Sequence, residues 1–143
     1  MEKQKKNGRY LTPYQSGELS VEYGMGDFGT DMFYHFKGYE KELDEYGNKV
    51  PIYSTRAYET KKSDMDIETW SITALLVLLP DLLFEDCKLE IFKEETKWCV
   101  RYVERNKRRT KIVHEYKAKL LIDAAFYMVR RLRINYEESF PWQ

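Results

Sequence analysis

From Lys88 to Glu104 the chain alternates apolar and polar residues on either side of a short polar break, and this leaves few ways to fold. Placing Glu95 and Thr96 in a two-residue turn sets Leu89 opposite Tyr102, Ile91 opposite Val100, Glu90 opposite Arg101 and Glu94 opposite Lys97. One register therefore yields an apolar face and two cross-strand pairs of opposite charge. Glu-Thr is poor chemistry for a two-residue turn, which prefers Gly or Asn, so a bulge stays open there.

The next segment, "TKIVHEY", extends the same face if Ile112 lies opposite Tyr102, His114 opposite Val100 and Tyr116 opposite Trp98. That leaves Arg105 to Arg109 as a loop. A competing turn at Asn106-Lys107 pairs Val100 with Val113 and Glu104 with Arg109 but puts Lys111 opposite Tyr102, so the first register is preferred.

Helical spacing flanks these strands. "KAKLLIDAAFYMVRRLRINY" (117–136) stacks Leu121, Ala125, Met128, Val129 and Leu132, with Arg130, Arg131 and Arg133 in the last turns, where cations suit the helix dipole. Upstream, "KKSDMDIETWSITALLVLLPDLLF" (61–84) predicts a helix over 67–79, capped by Ser63 or Asp66 and limited by Pro80. Ile67, Trp70, Ala74, Leu75 and Leu78 form one face, while Ile72, Leu76 and Leu79 make the opposite face apolar too. Such a helix is either sandwiched between layers or half of an oligomer contact.

The first third reads as a Tyr-rich β-meander. "GELSVEYG" (17–24) alternates as a half-buried strand, "GMGDFG" (24–29) suits a loop, and "TDMFYHFKGYEKE" and "KVPIYSTRAYET" are extended segments joined through "LDEYGNK". The expected fold class is α+β: a β-meander followed by an α-β-β-β-α unit whose helices cover one face of an antiparallel sheet. Residues 1–143 form one domain, with a mobile arm over 1–16 unless it docks, a β-rich region over 17–62, the α-β-β-β-α unit over 63–136 and an aromatic tail over 137–143. With 15% aromatic residues, among them 12 tyrosines, such a chain is expected to fold despite its 34% of charged residues.

Charge and motifs narrow the function. Lys plus Arg number 24 and Asp plus Glu 24, so no overall field pulls the chain onto nucleic acid or an anionic membrane. The longest apolar run, Ile72 to Pro80, is far below the roughly 20 residues of a membrane span, and no apolar segment follows the basic start. Cys87 and Cys99 read as free thiols of a reducing compartment, so a cytoplasmic setting, in a cell or in a virus's host, is expected.

No G-x-S-x-G, H-E-x-x-H or C-x-x-C occurs, and "GMGDFG" does not follow a strand and open a helix as a phosphate loop does. Cys87, Cys99, His35 and His114 match no common zinc spacing. In the preferred register Cys99 faces away from His114, so they form no nucleophile–base pair. Glu40 and Glu42 share a face of an extended segment but read as a solvated hairpin end. The expectation is a protein without catalytic residues, metal or cofactor.

Two resemblances bear on partners. The α-β-β-β-α order is that of double-stranded-RNA-binding domains, and Lys117, Ala118, Lys119, Ala124 and Ala125 are similar to that family's last-helix pattern. The first helix, however, is apolar all round, and the glycine- and proline-bearing loop between the first two strands is missing. "LLIDAAFYMVRRLRIN" (120–135), preceded by "KLEIFKEETKWCVRYV" (88–103), resembles small proteins of phages and prophages of gut bacteria that end in a short meander and a helix. That resemblance implies an accessory or host-directed protein and carries no catalytic residues.

The leading expectation is binding to another protein or self-association as a homo-oligomer, through Trp70, Ile72, Leu76, Leu79, Phe140 and Trp142. The alternative is nucleic-acid binding through Arg105, Lys107, Arg108, Arg109 and Lys111, joined by Lys117 and Lys119.

Overall fold

The computed structural model describes residues 8–139, so Phe140 and Trp142 lie outside the described residues. The fold is α+β. Its centre is a four-stranded antiparallel sheet in the order β5 (Leu82–Phe84), β6 (Cys87–Glu94), β7 (Lys97–Arg105) and β8 (Thr110–Ala118). Two small sheets precede it: β1 (Met32–Tyr34) pairs with β4 (Ile67–Thr69), and β2 (Phe36–Tyr39) pairs with β3 (Pro51–Tyr53).

The β6–β7 register is the one the alternation predicts, with Leu89 opposite Tyr102, Glu90 opposite Arg101, Ile91 opposite Val100 and Glu94 opposite Lys97. No bulge is needed, because Glu95 takes the left-handed conformation (φ 55°) that a Gly would adopt more readily. The β7–β8 register differs from both sequence-based alternatives. Tyr102 faces His114, Val100 faces Tyr116 and Trp98 faces Ala118, a slip of two from the preferred pairing. The slip of two keeps His114 and Tyr116 on their expected face, but past Tyr102 the offset changes by one, so Ile112 lies opposite Val103 on the other face and is exposed. Val113 then bulges out between His114 and Ile112, and the loop shortens to Asn106–Arg109. Asn106 drives this closure: its Oδ1 accepts from the Arg108 and Arg109 amides at 2.9 and 3.1 Å, and its own amide donates to the Arg109 carbonyl.

The helix predicted over 67–79 is two elements. Ile67–Thr69 is β4, and α2 is only Ile72–Leu78, capped by Ser71, whose Oγ accepts from the Ala74 amide, rather than by Ser63 or Asp66. Asp31 fixes Ser71 in turn, accepting from its amide and hydroxyl. The two-sided apolar pattern is covered from within the chain: Trp70, Leu75 and Leu79 are buried, and Ile72 and Leu76 pack partly buried against the same core. Trp70 and Leu79 are therefore core residues and not an exposed interface.

The last helix, α3 (Leu121–Asn135), packs on β7, β8 and α2 and buries Ile122, Ala125, Met128, Val129 and Leu132. It starts later than the sequence pattern suggests, so Lys117 belongs to β8 and Lys119 to the bend before the helix. Basic residues opening the last helix, the feature shared with double-stranded-RNA-binding domains, are thus absent from the described fold.

The N-terminal segment also differs from expectation. "GELSVEYG" is helical, because Thr12 and Gln15 form a capping box with Pro13 at the first helical position: α1 (Pro13–Gly17) runs into a π-helical turn over Glu18–Glu22. Residues 8–16 are docked rather than a mobile arm. Leu11 is buried, its amide donates to the Trp70 carbonyl, and its own carbonyl accepts from the Tyr34 hydroxyl. Gln15 reaches Asp123 at 2.9 Å and Glu18 pairs with Arg130 at 2.6 Å, tying the segment to α3.

Buried Tyr102 anchors the helical layer to the sheet by donating to the Pro80 carbonyl at 2.6 Å. Tyr102→Phe leaves that carbonyl unpaired and is expected to cost about 1–2 kcal/mol in chemical denaturation. An unchanged midpoint would show that water replaces the hydroxyl.

Candidate functional site

The basic loop is partly neutralised by its own strands. Arg105 pairs with Glu90, which also accepts from Arg101 at 2.9 Å, and Arg101 reaches Glu115 at 3.5 Å. Arg109 pairs with Glu104 at 3.4 Å, and Lys117 lies 3.7 Å from Glu94 and 3.9 Å from Glu115. The hydrogen bond from Arg105, with help from Arg101, holds the Glu90 carboxyl below its ordinary value. Among the described residues, Lys107, Arg108, Lys111 and Lys119 have no carboxylate partner. Seven candidate cations thus reduce to a short exposed stretch plus one distant lysine.

The candidate nucleophiles and bases do not assemble. Cys99 lies on the open face of the sheet, opposite Phe92 and Lys117, whereas His114 lies beside Tyr102 on the helix-covered face. Both thiols are buried, and burial pushes both up from their ordinary value, Glu104 adding to this at Cys87 and Glu115 at Cys99. A thiol so placed is a poor nucleophile. Burial lowers the His114 imidazole, aided by Arg131, and its Nε2 contacts the Tyr136 hydroxyl at 3.0 Å. Glu40 and Glu42 are solvent-exposed. No group of three or more potential metal ligands gathers among the described residues.

An open groove of about 400 Å³ lies at the β5–β6 turn, with Leu82 and Val103 beside Glu85, Asp86, Lys88 and Arg105. It contains no nucleophile or base positioned by a partner.

Sequence reading missed one polar node. Asp66 is buried and accepts from the Phe36 amide (2.8 Å), the Lys62 amide (2.8 Å), and the amide and hydroxyl of Ser63 (3.2 Å each). Burial pushes its carboxyl up, but these four hydrogen bonds outweigh burial and hold it below its ordinary value. Buried His35 stacks on Tyr58 with centroids 4.3 Å apart, and its Nε2 contacts the Thr60 carbonyl at 3.0 Å. "SDMD" hints at the local turn, but Phe36 is 30 residues away and carries no sequence signal. The node roots the β2–β3 hairpin.

That hairpin is the feature the node serves. Phe36 meets Tyr39 and Tyr53 edge-on at 5.1 and 6.2 Å, and Lys49 lies over the Tyr39 ring. Its tip is ordered by Asp44, whose Oδ1 accepts from the Tyr46 and Asn48 amides at 2.9 and 2.8 Å. Gly47 (φ 80°) donates to the Asp44 carbonyl, in a conformation that a side chain would strain. This ordered tip presents Tyr46 at 80% and Leu43 at 59% exposure, with Tyr39 and Ile52 also exposed.

No protein family, curated protein or solved structure matches the chain. No described helix is long and apolar enough to cross a membrane.

Proposed function

We propose that the protein acts by binding another protein or a second copy of itself, as a non-enzymatic, phage-type accessory or host-directed protein working in the cytoplasm. The observation that carries this reading is the ordered hairpin tip, which holds Tyr46 and Leu43 in water at the cost of exposed apolar surface. Tyrosine gives large contact area for little lost side-chain entropy, which suits it to interfaces. The phage assignment rests on the likeness of residues 88–103 and 120–135 alone.

The test is capture from host lysate with the full chain as bait, beside Leu43→Ala with Tyr46→Ala. Both side chains are exposed, so the variant's thermal midpoint should match the wild type while the captured partner is lost. A partner retained by the variant, or no partner together with a strict monomer, would overturn the reading. A salt-dependent mobility shift of RNA or DNA, lost in Lys107→Ala with Arg108→Ala, would instead establish phosphate binding by the loop.

A further inference from the structure

The central sheet ends in two unlike edges. β5 is three residues long, whereas β8 runs for nine, and no strand occupies its outer side among the described residues. An unpaired edge of that length is a template for another strand. The two halves of β8 differ. The first is blunted by the Val113 bulge and by exposed Lys111. The second, His114–Ala118, pairs regularly with β7, with Tyr116 on the helix-covered face and Glu115 and Lys117 on the open one.

We infer that the protein forms a two-fold dimer in which His114–Ala118 of two copies pair antiparallel, joining their sheets edge to edge. A two-fold axis through such a pairing puts one residue opposite itself, and that residue fixes the register. Centring on His114 opposes Lys111 and Lys117 and runs into the bulge. Centring on Glu115 opposes two carboxylates, and centring on Lys117 opposes two ammonium groups. Centring on Tyr116 puts Glu115 of each copy opposite Lys117 of the other, clear of the bulge. Arg131 sits at this axis, donating to the Tyr116 hydroxyl at 2.6 Å with its guanidinium 6.0 Å from the ring centre. Tyr and Arg are the residue types that dominate interface energetics.

The inference rests on the self-association part of the proposed function and not on the hairpin. Its test uses Glu115→Lys and Lys117→Glu, each as the full chain. Either variant alone opposes like charges twice across the axis, whereas a mixture of the two opposes unlike charges twice. Sedimentation should show a wild-type dimer, a dimer dissociation constant raised about tenfold or more in each variant, and a restored dimer in the equimolar mixture. Arg101 keeps Glu90 when Glu115 is changed. Should a variant fail to fold, hydrogen exchange on the wild type decides: amides of 114–118 must exchange more slowly as concentration rises.

A dimer indifferent to both reversals, or exchange at 114–118 that ignores concentration, sinks the β8 interface and leaves the wider binding reading standing. A wild-type monomer that still captures a partner through its hairpin does the same. A monomer that captures nothing overturns both.

Discussion

Replacing Trp70 with alanine should lower the stability by about 3–5 kcal/mol, a large share of the roughly 5–15 kcal/mol that holds a domain folded. The side chain has no exposed surface, packs in the cluster that joins the N-terminal segment to α2 and α3, and donates from Nε1 to the Phe28 carbonyl at 2.8 Å. Trp70→Phe keeps most of the volume and should cost less, about 1–2 kcal/mol, chiefly for the lost Nε1 hydrogen bond. Denaturant unfolding followed by far-ultraviolet circular dichroism measures both. A loss under 1 kcal/mol for Trp70→Ala would mean that the indole is not where the fold puts it. The experiment also separates core from interface: a variant that stays fully stable yet loses a partner would return Trp70 to the surface.

Asp66→Ala should cost about 2–3 kcal/mol and flatten the acid limb of the stability profile. The change strands the Phe36, Lys62 and Ser63 amides that the carboxylate holds. The sign follows from the depressed folded-state value. The contribution of Asp66 is fully present above its unfolded value, about 3.9, and is lost as pH falls through the lower folded one. Wild type minus variant should therefore be constant near neutral pH and shrink below about pH 4. Asp66→Asn, with one carbonyl acceptor left, should lie between the two. A difference that does not change between pH 7 and pH 3 would show that the carboxylate is not charged in the fold. Because the node roots the hairpin, hydrogen exchange in 36–53 should rise in the variant before the central sheet opens.

The two halves of the chain were unequally legible. Strands β6 and β7 could be paired residue by residue, since alternation, cross-strand charge and a short turn all demanded one register. In strand β8, His114 and Tyr116 fell on their expected face at the wrong offset while Ile112 fell on the other, because the period of two constrains the face only up to a bulge, and the bulge at Val113 has no pattern of its own. The region over 61–84 misled for a related reason. A continuous apolar run suits a buried strand followed by a buried helix as well as one long helix, and only the pairing of Ile67–Thr69 with β1 separates them. The candidate sites fared similarly. The basic loop is visible as five positive charges within seven residues, while the carboxylates that neutralise Arg105 and Arg109 lie on neighbouring strands.

By itself, then, the sequence determined what periodicity and local chemistry can carry: the α+β class, the β6–β7 hairpin, the buried stripe of α3 and the side of the sheet to which Cys99 and His114 each belong. Only the tertiary structure decided which apolar faces are covered, that residues 8–16 dock through Leu11, and that Asp66 reaches Phe36 to root the hairpin. The physical reason is that burial and long-range hydrogen bonding depend on which segments meet, and loop closure brings together residues whose separation along the chain leaves no periodic trace.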